Sequence, residues 1–182
     1  MNMMFSNAEL FNSDISKWDV SSVTDMDGMF WRAIFFNGVI SNWDVSSVTS
    51  IQNMFSSADS FNRDISQRDV SNVIDMNSMF WEAESSNGDI SKWDVSSVTV
   101  MDSMFRSAQS FNGDVSNWDV SSVADVSRAF WGVASFNGDI SKWDAEHVPE
   151  CGIVQRRRLG VGCVKHHQYG QHVFGRGIVQ WR

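Results

Sequence analysis

The chain repeats itself every 25 residues. Phe5, Phe30, Phe55, Phe80, Phe105 and Phe130 keep this step, as do Asn12, Asn37, Asn62, Asn87, Asn112 and Asn137. Trp18, Trp43, Trp93, Trp118 and Trp143 share it, with Arg68 in the remaining place. A unit this short cannot bury an apolar face alone, so each must pack on its neighbours and the chain must grow by stacking. Such an architecture offers a binding or scaffold surface rather than a single convergent pocket.

Residues 11–35, FNSDISKWDVSSVTDMDGMFWRAIF, show one unit. Ile15-Ser-Lys-Trp18-Asp-Val20 spaces its apolar residues as in the L-x-x-L-x-L strand of a leucine-rich repeat. The pattern recurs at Ile40/Trp43/Val45, Ile65/Arg68/Val70, Ile90/Trp93/Val95, Val115/Trp118/Val120 and Ile140/Trp143/Ala145, and predicts a short parallel strand in each unit. Val23, Met26, Met29, Phe30 and Ala33 follow at spacings typical of one helix face, with Ser22 or Thr24 as a cap. The expected fold is therefore an α/β repeat solenoid, leucine-rich-repeat-like, with one short parallel strand and one short helix per coil. About six coils fill residues 1–148. Met1 and Met4 hold the places of Met26 and Met29, so the period opens in mid-unit and implies a slice of a longer array.

Several side-chain rows run along such a stack. The Asn row suits backbone groups in a tight turn. Asp19, Asp44, Asp69, Asp94, Asp119 and Asp144 form a row of like charges, to be offset either by the amides of the following Ser-Ser turn or by a hard cation. Asp14, Asp64, Asp89, Asp114 and Asp139 add a second carboxylate row that Val39 interrupts. Ser16, Ser41, Ser66, Ser91, Ser116 and Ser141 are constant, whereas Lys17, Asn42, Gln67, Lys92, Asn117 and Lys142 vary between them. Lying between apolar positions, both rows should point outward, and the variable one is the candidate recognition row. Trp31, Trp81 and Trp131 recur at twice the period, consistent with packing between coils or with a contact patch. Arg68 occupies an apolar place, which costs desolvation, so the third coil is expected to be the weakest.

Residues 1–148 carry 8 Lys/Arg against 21 Asp/Glu, net −13, a field that repels nucleic acid and anionic membranes. Both cysteines, Cys151 and Cys163, lie beyond the repeats, so no disulfide framework is expected there. The opening MNMMFSNAEL has neither the basic start nor the apolar stretch of a signal peptide, and no apolar run has the length of a membrane span. Ser and Asp abound in identical rows, but no base stands beside them to activate a nucleophile, and no cofactor motif appears. No enzyme activity and no metal centre are expected.

Residues 149–182 form a basic tail of net +5. GIVQRR at 152–157 returns as GIVQWR at 177–182, again one period on. Codons allowed for the first segment, shifted by one nucleotide, read Ala-Ser-Phe-Asn-Gly, the segment found at 134–138. The tail is thus expected to be a frameshifted repeat, poorly ordered.

The motif F-N-x-D-I-S-x-W-D-V-S-x-V-x-x-M-x-x-M-F, in units such as FNSDISKWDVSSVTDMDGMF and FNGDISKWDVSSVTVMDSMF, resembles the BspA-like leucine-rich-repeat surface proteins. It is more similar to the branch first described in mycoplasma lipoproteins as a domain of unknown function. The resemblance implies a surface-exposed or secreted array, adhesion or protein binding, and no catalytic residues. A protein partner follows as the leading expectation. A structural spacer, or a cation- or glycan-binding array using the Asp rows, are the alternatives.

Overall fold

The computed structural model describes residues 1–143. The tail over 149–182, the boundary at 148 and Asp144 lie outside the described residues. Each repeat forms one rung of consecutive tight turns, and rungs stack so that every residue faces its counterpart 25 positions on. Isolated parallel bridges join Asp25 to Ser50, Ser50 to Asp75, Asp75 to Val100, and Val100 to Asp125.

The expected alternation of strand and helix is not what the chain adopts. Among the described residues there is no helix, and the bridges lie inside the segment read as helical. Within that segment alternate amides serve two directions. The N–H groups of Met26, Gly28, Phe30 and Arg32 donate to carbonyls of Ser50, Gln52, Met54 and Ser56 on the next rung. Those of Met29, Trp31 and Ala33 close turns back onto Met26, Gly28 and Phe30. A turn closed between residues three apart brings both to one side, so it reproduces the spacing of a helix face without the helix.

Backbone conformation explains why no helix can form. Two places per rung take a left-handed φ: Met3, Gly28, Asn53, Ser78, Ser103 and Arg128 in one column, and Asn7, Arg32, Ser57, Glu82, Ser107 and Gly132 in the other. Two positive-φ residues four apart on each rung interrupt any right-handed helix there, and each is the third-residue signature of a type II turn. None of these residues is β-branched, the class that tolerates the conformation least. At Gly28, φ is +55° and a Cβ would stand 3.2 Å from Met3 Cγ, so both conformation and space favour glycine there.

The leucine-rich-repeat strand is also replaced by turns. Trp18 N–H donates to Ile15 O and Val23 N–H to Val20 O; both closures recur on the rungs of Trp43, Trp93 and Trp118, and the first recurs at Trp143. The cause is local. Asp14 Oδ1 accepts the amide of Ser16, and Asp19 Oδ1 accepts both the amide and the hydroxyl of Ser21. Each carboxylate captures the backbone two residues on and bends a segment whose apolar spacing would suit a strand.

The core is a set of aromatic columns. Phe5, Phe30, Phe55, Phe80, Phe105 and Phe130 stack nearly parallel, with centroids 5.6–5.7 Å apart. Phe36 lies 3.8 Å from Phe30, and Phe61 and Phe111 pair with Phe55 and Phe105 at the same distance. Ser86 is buried where the other rungs place the second Phe. The Trp column is tied across rungs: Trp43 Nε1 donates to Ile15 O, Trp93 Nε1 to Ile65 O, Trp118 Nε1 to Ile90 O and Trp143 Nε1 to Val115 O. Parallel offset rings of this kind contribute about 0.5–1.5 kcal/mol a pair beyond their buried area.

Candidate interaction surface

Asn12, Asn37, Asn62, Asn87 and Asn112 each use Oδ1 to accept the backbone N–H of the next Asn in the row, at 2.8–3.1 Å. The row rivets rungs together, leaving its oxygens committed to structure.

The carboxylate rows are committed in the same way. Asp64, Asp89, Asp114 and Asp139 accept the amides of Ser66, Ser91, Ser116 and Ser141, as Asp14 does on the first rung. Asp44, Asp69, Asp94 and Asp119 accept the amides of Ser46, Ser71, Ser96 and Ser121. Hydrogen bonds from these serines hold Asp14, Asp19, Asp44, Asp64, Asp89, Asp94, Asp114, Asp119 and Asp139 below the usual carboxylate range. Adjacent rungs push the other way, as Asp19 does to Asp44 and Asp119 to Asp94. Among the described residues no three His, Cys, Asp or Glu side chains gather as metal ligands would.

Lys17, Asn42, Gln67, Lys92, Asn117 and Lys142 are all exposed, one per rung. Except at Asn42, whose rung has Val39 in that place, they sit in the turn that the Asp14-type carboxylate fixes, so a stiff backbone presents a changing side chain. Lys17 acts on Asp14, Lys92 on both Asp64 and Asp89, and Lys142 on both Asp114 and Asp139, in each case favouring the ionised carboxylate. The variable row thus lies alongside an acidic one.

A second feature was only half visible in the sequence. Trp31 and Trp81 are half-buried and wall an open cavity of about 430 Å³, with Ser56 and Ser57 of the intervening rung at its floor. Arg32 lies on the rung of Trp31, Asp59 on the intervening rung, and Glu82 and Glu84 on the rung of Trp81. Burial, then the carboxylates of Glu84 and Glu82, raise Asp59 above the usual range. The double-period recurrence of Trp signalled these residues. The cleft between them is visible only in the stacked structure.

Where Arg68 replaces Trp, an apolar cavity of about 40 Å³ opens, lined by Trp43 and Trp93 among others. Arg68 Nη1 donates to Trp43 O, and its Nε is buried with no hydrogen-bond partner. This is a packing defect rather than a binding site.

No curated protein and no solved structure matches the chain. A family model described as "Mycoplasma protein of unknown function, DUF285" matches it twice, over residues 1–87 and 63–154.

Proposed function

The chain belongs to the DUF285 family, and from that premise we propose that it is a non-catalytic protein-binding module of a surface or secreted protein. The observation that carries this reading is the variable row at Lys17, Asn42, Gln67, Lys92, Asn117 and Lys142, exposed at the same corner of successive rungs while the framework around it hardly changes. A rigid stack with a varied outer row suits recognition of an extended partner, because binding costs little ordering of the backbone. Resemblance to the BspA-like proteins supports display outside the cell and an adhesive role. Carboxylates already occupied by their own turns do not favour the cation-binding alternative.

The test is capture of extracellular matrix proteins by the full chain and by a variant with alanine at all six row positions. Capture that the variant loses, at unchanged melting temperature, is the expected result. Capture by neither leaves a structural spacer as the better reading, and equal capture by both overturns the assignment of binding to the variable row.

A further inference from the structure

Resting on that reading, we propose that the cleft between Trp31 and Trp81 binds a guanidinium side chain of a basic protein segment. The column through this site runs Ser6, Trp31, Ser56, Trp81, Arg106, Trp131. Tryptophans occupy alternate rungs, so consecutive ones are separated by two rung spacings, about 9.6 Å. The rung between them carries either a small residue or Arg106.

The chain supplies its own example of what fits. On the rung between Trp81 and Trp131, Arg106 places its Cζ 5.2 Å from the Trp81 ring centroid, about half the distance between two alternate rungs. Its Nε is buried without a hydrogen-bond partner, so the ring face is what compensates that end of the guanidinium. Two rungs earlier in the stack the same place holds the small, buried Ser56, beneath the open cavity that Trp31 and Trp81 line. A guanidinium from outside would find there the opposite face of the same Trp81, with Trp31 beyond it.

Charge selects the same occupant. Asp59, Glu82 and Glu84 stand at the cleft, and among the described residues that line it Arg32 alone opposes them. Burial and its two acidic neighbours raise Asp59, so a cation brought beside it would favour its ionised form. An arginine answers both demands, since a planar cation stacks on indole and pairs with carboxylate. The acidic field of the whole array adds attraction at longer range.

The test is nitrogen-15 NMR of the assigned indole N–H groups in the full chain, titrated with an acetylated tetra-arginine peptide and with its tetra-citrulline counterpart. Citrulline keeps the planar shape and removes the charge. The arginine peptide is expected to shift Trp31 and Trp81, and citrulline is not. Ser56→Arg copies Arg106 into the open place and should weaken binding about tenfold. Ser97→Arg, which adds the same charge at an exposed turn elsewhere, should retain most of it. Arg106→Ser vacates the second place and should bring Trp131 into the set of shifted indoles. Equal shifts with citrulline, or equal weakening by Ser56→Arg and Ser97→Arg, would overturn the proposal, because shape alone or the general field would then account for binding. Should Ser56→Arg fail to fold, a Trp131 indole that stays unmoved in Arg106→Ser overturns it as well. Failure here leaves matrix capture through the variable row untouched, so the two readings fall separately.

Discussion

At the scale of single residues, conformation and hydrogen bonding decide more than identity. Arg128 and Gly28 hold the same place in the period, and both take a left-handed φ, 57° and 55°. Arginine pays for that conformation where glycine does not. Arg128→Gly is therefore expected to stabilise the protein by about 0.5–1 kcal/mol, read from denaturant midpoints. The aspartates give a pH signature. Nine of those in the turn rows are held below the usual range by their serines. Folded values below the unfolded value, about 3.9, mean that their stabilisation is complete above it and is lost as pH falls through the folded values. Asp27 and Asp59, raised by burial, act in reverse and favour the fold when protonated. The melting temperature should stay level or rise slightly from pH 7 to 5, then fall below about pH 4. A decline already evident between pH 7 and 5 would contradict this balance.

The rung is the element of this molecule, and here the sequence was legible in one respect and misleading in another. Ile15, Val20, Met26, Met29, Phe30 and Ala33 are buried as their spacing implies. What the spacing could not convey was the local backbone, because an i to i+3 turn and a helix bring the same pairs to one side. The carboxylates at Asp14 and Asp19 and the left-handed places at Gly28 and Arg32 decide the matter, and an Asp-x-Ser step is too common to announce it. Among site residues, the row from Lys17 to Lys142 was legible as outward, whereas the Trp31 cleft needed the stack itself. The third rung carries the plainest test. Arg68→Trp should fill the 40 Å³ cavity, complete the column between Trp43 and Trp93, and offer an indole N–H to Ile40 O. Cavity filling and ring stacking together predict a gain of about 2 kcal/mol in denaturant unfolding. Amide exchange around Val70 should slow in the same variant.

For the molecule as a whole, the governing feature is that nearly all bonding between rungs joins residues 23 to 28 apart in sequence. Loss of one full period would leave each surviving residue beside another of its own kind, and loss of any other length would set Phe against polar turn. Cross-section and length are thus under separate control. The alternation of Trp with Ser or Arg obeys a stricter rule, one of parity. Removing an even number of rungs preserves the order of wall and floor, while removing an odd number brings two walls or two floors together and erases a cleft at the joint. An array built this way can lengthen or shorten freely and still keep count, by twos, of the places where it can hold something.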